Sequence, residues 1–315
     1  MAKSSKTWLE QFTTEEIREL RDIREHRAWL TLFVNYGLIA ASMTLVAYLP
    51  NAFTVVMALF IIGARQLGLA VVMHESAHYT LFKNRKFNDF VGNWLSGYPI
   101  YLSANMYRAH HLEHHAKTWT DGDPDLSLAT AFPVSKASMA RKVMRDLFGV
   151  TGLKKLIGTS YLVIKVIRGG EVDAGTLPMR LERGPAIRML LGTVLTNLIL
   201  FGILWALGHP SLYLLWFGAW MTTNNLVARI RSIAEHAVIP DPRDPIGQTR
   251  TVRAGWLERL LVAPNYVQYH LEHHLVMTVP HYNLPQFHAM MRERGLLDGA
   301  CVADNYAQVL RVAVA

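Results

Sequence analysis

Apolar residues dominate four stretches of about twenty positions, and the polar breaks between them set the elements to expect. The stretches are residues 28–49, 52–73, 187–207 and 211–229, each near the ~20 residues that a helix needs to cross a bilayer. Only Pro50-Asn51 separates the first two and Gly208-His209-Pro210 the last two, so the pattern predicts two tight transmembrane hairpins. Ahead of them, residues 10–27 alternate acids and bases around Phe12, Ile17, Leu20 and Ile23, which predicts an amphipathic helix within an N-terminal arm, 1–27. Residues 87–102 are apolar but short and interrupted by Gly92, Asn93, Gly97 and Pro99. That stretch is expected to dip into the interface or cover a site rather than to span. Residues 137–170 mix Met, Leu, Val and Ile with Lys and Arg at helical spacing, as in helices lying on a membrane surface. Residues 230–315 are expected to form a cap outside the membrane, with Pro240, Pro242 and Pro245 marking an irregular loop and 291–315 a C-terminal tail.

Composition agrees with the pattern. Of 315 residues, 51% are hydrophobic and 18% charged, and mean hydropathy is +0.16, too apolar for an ordinary soluble enzyme. The predicted class is therefore an all-α membrane protein, with four transmembrane helices in two hairpins and a cytoplasmic helical cap. Both short turns lack Lys and Arg, whereas the N-terminal arm, the segment around Lys83, Arg85 and Lys86, and the stretch from Lys136 to Arg188 are rich in them. The positive-inside rule puts those basic segments, both termini and the cap in the cytoplasm. The same topology accounts for the net charge of +8, so no nucleic-acid partner is expected. The single Cys301 excludes an intramolecular disulfide and a four-thiolate iron–sulfur cluster. The N-terminus shows a polar arm in place of the apolar core of a signal peptide.

Histidine carries the chemistry. Eight of the 14 histidines fall in three clusters: His74-Glu-Ser-Ala-His78, His111-Leu-Glu-His114-His115 and His270-Leu-Glu-His273-His274. On a helix, positions i, i+3 and i+4 share one face, so each of the last two clusters is expected to aim three imidazoles at a common point and the first to aim two. A closed site takes about four protein ligands; eight histidines suit two metals. Neutral imidazole binds iron, zinc, copper or nickel, so ligand type alone does not name the metal.

In their order and spacing, HxxxH, HxxHH and HxxHH, these clusters resemble the three histidine boxes of the integral-membrane fatty acid desaturase and hydroxylase superfamily. The resemblance runs from about residue 28 to 290 and includes Gly122-Asp123-Pro124-Asp125 after the second box. It implies that the histidines hold two irons, which activate O2 for attack on an unactivated C–H bond with electrons supplied indirectly from NAD(P)H. It also implies a ninth ligand at the end of the fourth span, where His236 stands, and assigns Ser232 to a place where some relatives carry a water-bridging asparagine. The implied ligand set is thus His74, His78, His111, His114, His115, His236, His270, His273 and His274.

Around that set, His110 breaks the face of the second box and is expected to support the ligands or the fold. Glu113 and Glu272 either orient imidazole N–H groups or are simply solvated, and Asp121, Asp123 and Asp125 either do the same work or form an ordinary turn. His26, His209, His281 and His288 receive no role. The first box also reads HExxH, which could make a zinc protease with Glu75 as base, but that leaves seven histidines unused. The sequence carries neither a fused cytochrome b5 haem motif nor ferredoxin-type cysteines, so a ferredoxin or cytochrome b5-like carrier is the expected partner, beside a lipid or acyl substrate. The string Tyr269 to Leu275 followed by Val279-Pro-His-Tyr-Asn-Leu-Pro285 resembles acyl-lipid or sphingolipid-type desaturases, which favours desaturation over hydroxylation.

Overall fold

A computed structural model describes residues 8–172 and 179–315. A short helix α1 (Thr14–Leu20) leads to α2 (Glu25–Tyr48), which turns at Pro50 into α3 (Ala52–Ala77). The turn is set locally: the Asn51 side chain accepts from Thr54 N while Thr54 Oγ1 accepts from Asn51 N, closing the start of α3 as a capping box. The amphipathic helix expected over 10–27 forms only as α1, because Thr13 and Glu16 cap it at the front and the chain beyond Leu20 must pack elsewhere. Asn283 Nδ2 donates to Leu20 O at 2.8 Å, and Arg24 N donates to the Tyr282 hydroxyl at 2.7 Å. Trp8, Phe12 and Leu20 join Phe287 and Met291 in one buried cluster, so the arm is built into the segment that follows the third histidine box.

Beyond α3 come α4 (Arg85–Gly92), a π turn (Asn93–Gly97), a 3-10 turn (Tyr98–Ile100) and α5 (Ala104–Lys117). The expected short, broken segment is thus a helix that loosens at its glycines and does not span. Next, α6 (Lys136–Leu147) and α7 (Val150–Ile167) meet at 68° across Gly149, whose φ of +74° is one that glycine adopts without strain. The chain continues through α8 (Arg183–Ala206), α9 (Tyr213–Met221), α10 (Thr223–His236), α11 (His270–Leu275), α12 (Leu284–Glu293) and α13 (Tyr306–Val312).

This is a multi-pass integral membrane protein. The stretches Thr14–Tyr48, Ala52–Ala77 and Arg183–Ala206 are long and apolar enough to cross a membrane, and the bent pair α6–α7 is a fourth candidate by length and composition. On α8, Leu191, Val194, Leu198 and Ile203 are exposed, a continuous apolar flank that water would not tolerate and lipid would. The fourth span expected at 211–229 is not one helix. It breaks at Thr222 (φ −120°, ψ −90°), where the hydroxyl donates back to Gly218 O at 2.6 Å. Asn225 Nδ2 then donates to Trp220 O and Met221 O at 2.9 and 3.1 Å, covering carbonyls that the break releases. At the crossing of α3 and α10 the backbones almost touch: a Cβ on Gly63 would lie 2.7 Å from Asn224 N.

The described residues are not wholly helical, since Thr251–Val252 pairs in parallel with Val302–Ala303. That two-residue ribbon seats the C-terminal stretch, and Tyr306, Val309 and Ala313 pack with Ile233 and Ala234 of α10. Both ends of the described chain therefore pack beside the region where the histidines lie.

Candidate metal centre

The two helix ends that carry His74 and His78 on α3 and His236 on α10 are each closed by an arginine. At the end of α3, Arg108 donates to Ala77 O and Ser76 O, both at 3.0 Å, and pairs with Asp89. At the end of α10, buried Arg250 donates to Ala234 O, Ala237 O and Val238 O at 2.9–3.0 Å. These groups satisfy carbonyls that a helix terminus leaves open and place positive charge at the negative end of the dipole. His74 and His78 at the first end, and His236 at the second, are thereby fixed in direction.

Nine imidazoles converge in two adjoining groups. His74, His78, His111, His115 and His273 form one, with one ligand nitrogen from each within 4.8 Å of the others. His114, His236 and His274 form the second under the same limit; His270 is joined to it through an overlapping group of Glu235, His236 and His270, its Nε2 2.8 Å from Nε2 of His236. The HxxHH clusters do not behave as expected, since neither aims all three imidazoles at one point. His111 and His115 turn to the first group and His114 to the second; His270 and His274 turn to the second group and His273 to the first. At 3.6 residues per turn, positions i and i+4 differ by only about 40° around the axis, whereas i+3 falls about 60° to the other side. A helix lying along the seam between two groups divides its histidines in this way. The rings of His115 and His274, one from each group, stack 4.2 Å apart.

The donor set fits metal ions. Nε2 of His74, His78 and His274 is buried with no hydrogen-bond partner, and Nε2 of His115 lies 3.0 Å from Nε2 of both His111 and His273. Converging ring nitrogens of this kind are stable only if something accepts their lone pairs. Several opposite ring nitrogens are held by oxygen: Asp123 Oδ1 lies 2.7 Å from His114 Nδ1, the Tyr107 hydroxyl 3.0 Å from His111 Nδ1 and Glu75 Oε1 3.4 Å from His74 Nδ1. Such partners fix the tautomer that leaves Nε2 free. Burial, reinforced by neighbouring imidazoles, holds His111, His115, His270, His273 and His274 well below the ordinary histidine pKa. They are therefore neutral at pH 7, the form that binds metal.

The surrounding candidates sort unevenly. Asp123 meets the site through His114, while Asp125 pairs with His110 at 3.0 Å and places its other oxygen 4.0 Å from the same His114 Nδ1. Ser232 lines the adjoining cavity. Asp121 is exposed in its turn. Glu113 pairs with Lys117 and Arg180 at 2.8 and 2.6 Å, away from the imidazoles. Glu272 binds Thr251 and His288, both at 2.5 Å. Two histidines given no role are thus structural partners, His288 of Glu272 and His281 of Glu75, whose Oε2 accepts from His281 N at 2.9 Å. The same oxygen accepts from Thr80 Oγ1 at 2.9 Å, so Glu75 is engaged in positioning and is not poised as a protease base. Glu235 escaped the sequence reading altogether; it pairs with Arg231 and its Oε1 lies 3.6 Å from His270 Nδ1. The one available signal was its place next to His236, the mirror of Glu75 next to His74.

A cavity of about 320 Å³ opens beside His74, His270 and His273, walled by Leu67, Val71 and Leu102 among others. A profile of the fatty acid desaturase family matches residues 50–300, which contain all nine imidazoles. The chain is 27% identical over 296 residues to a dihydrorhizobitoxine desaturase of Bradyrhizobium elkanii, covering 90% of this chain and 80% of that one. It is 27% identical to a Delta(5) fatty acid desaturase of Caenorhabditis elegans, covering 82% and 60% respectively. An sn-1 oleoyl-lipid 12-desaturase of Synechocystis is 23% identical, covering 88% and 79%.

Proposed function

This chain belongs to the fatty acid desaturase family, and on that footing we propose that it is an O2-dependent membrane desaturase that binds two irons on its nine imidazoles. The first iron is assigned to His74, His78, His111, His115 and His273, the second to His114, His236, His270 and His274. The observation that carries this reading is the gathering of the imidazoles into adjoining groups of closely spaced ring nitrogens, with Nε2 of His74, His78 and His274 buried and without a hydrogen-bond partner. Two irons held there would supply the oxidising power, drawn from O2 and two external electrons, that an unactivated C–H bond demands. The chain does the rest. Asp123, Tyr107 and Glu75 hold imidazoles in the metal-binding tautomer, Arg108 and Arg250 hold the helix ends, and Leu67, Val71 and Leu102 receive the alkyl part of the substrate and exclude water.

The three relatives are desaturases by name, which supports removal of a second hydrogen over capture of oxygen. Their names give a fatty acid, an oleoyl lipid and dihydrorhizobitoxine as substrates, so the relatives do not narrow the substrate of this chain to one class. The electrons are assigned to a ferredoxin or cytochrome b5-like carrier, fed from NAD(P)H through its reductase. We place the docking face, the imidazoles and both termini in the cytoplasm, on the charge asymmetry of the loops.

Mass spectrometry of lipids and small metabolites from cells expressing the wild type, set against cells expressing His274→Ala, tests the reaction. A product lacking two hydrogens, formed only by the wild type, is expected. A product gaining one oxygen instead makes the enzyme a hydroxylase. Purified protein should contain two irons per chain, and one zinc in their place overturns the diiron assignment.

A further inference from the structure

The cavity beside the imidazoles has an imbalance of charge. Its acidic side chains are committed, Glu75 to His281 and Thr80 and Asp125 to His110, whereas two cations also reach it, Lys155 and Arg231. Arg231 gives Nε to Glu235, and its terminal nitrogens have no further partner among the described residues. Lys155 pairs with no carboxylate among the described residues; its ammonium lies 5.3 Å from the centre of the Trp220 ring. An ammonium partly withdrawn from water with no counter-ion is costly, and an aromatic face offsets only part of that cost.

Placement gives the imbalance a direction. Asn224, Ala228, Arg231 and Ser232 line the cavity at the spacing of a single face of α10. Trp220 lies just before Asn224, and Arg231 one turn and a residue before His236. Lys155 therefore marks the end of the cavity remote from His236, and Arg231 the near end, with Asn224 and Arg231 about 10 Å apart along the helix. Between them run Leu67 and Val71 of α3. A volume of about 320 Å³ lies at the small end of the roughly 300–1,000 Å³ range of small-molecule sites.

Resting on the desaturase reading, we infer that the cavity takes a small substrate with a free carboxylate, anchored by Lys155, whose alkyl portion runs along Leu67 and Val71 to the imidazoles. A neutral ester lipid leaves Lys155 uncompensated and so is the poorer ligand.

The test uses the full chain as purified, with the metal it acquires on expression, and two probes of equal acyl length, octanoate and methyl octanoate, and reads binding by calorimetry and by the shift in Tm. Octanoate should bind and raise Tm, with methyl octanoate at least roughly tenfold weaker. Lys155→Met should bring octanoate down to the level of the ester, and Lys155→Arg should restore the difference, which a merely structural lysine would not do. Equal binding of acid and ester, no octanoate binding by the wild type, or undiminished octanoate binding by Lys155→Met each overturns the inference. Should Lys155→Met fail to fold, the acid-to-ester ratio of the wild type and the Lys155→Arg protein decides. Iron analysis of the same preparations judges the desaturase reading separately. Two irons with indifference to the carboxylate leave that reading standing without this one, and zinc with Lys155-dependent octanoate binding does the reverse.

Discussion

Asp123 accepts from three partners at once: His114 Nδ1, the backbone N–H of Asp125 and, on its other oxygen, the backbone N–H of Trp119. It is thus a fixed wall against which one imidazole is set. Asp123→Asn should lower iron affinity or turnover 10–100-fold, the usual effect of losing such a support, as measured by metal content and product yield. Glu113→Gln supplies the contrast. Its partners are partly exposed Lys117 and Arg180, where solvent screens the pairing, so thermal midpoint and turnover should both stay at the wild-type level. The histidines themselves were readable because their spacing is a helical period. Their partners were not, because the contact of Glu75 with His281 joins positions 206 residues apart, and no local period encodes it. Tyr107 lay in reach, four residues before His111, but a tyrosine at that spacing is as often mere packing.

At the level of elements, Arg250 is the most exposed to test. It is 4% accessible and binds the carbonyls that close α10, one of them Ala237 O immediately after His236. Arg250→Met should cost about 3 kcal/mol or more, since several charge-assisted hydrogen bonds go at once, and iron content should fall with the thermal midpoint. The hairpin α2–α3 was legible because Pro50-Asn51 interrupts two apolar runs and a capping box follows. The break at Thr222 was hidden. Composition across residues 211–229 reads as a continuous span, and only the meeting with α3 at Gly63 and the side chain of Asn225 explain how the helix can part there. Splitting of each HxxHH cluster between two groups was equally hidden, for it depends on where the helix lies relative to the seam, not on its own period.

Across the whole molecule, the buried neutral histidines couple stability to pH. Unfolding returns His111, His115, His270, His273 and His274 to an ordinary pKa of about 6.5, whereas burial keeps the folded values well below it. Between those limits the unfolded chain binds more protons, so stability falls as pH drops below about 6.5. The metal-free, chelated protein should therefore lose thermal midpoint steeply from pH 7 to 5.5. A flat profile over that interval would contradict the burial of these rings.

The same site draws on the chain from end to end. Trp8 and Phe12 pack on Phe287, Tyr306 and Ala313 pack on α10, and the five-imidazole group unites His74 with His273. A ribosome adding about 5–20 residues per second therefore finishes His74 some tens of seconds before the last residues that wall it. During that interval the early histidines sit at the end of an inserted helix, able to meet metal but unable to enclose it. Under the proposed metal assignment, insertion into the membrane and enclosure of metal are thus separate events, the second waiting on the segment from His270 to Ala313 that supplies the remaining imidazoles and packs on α10.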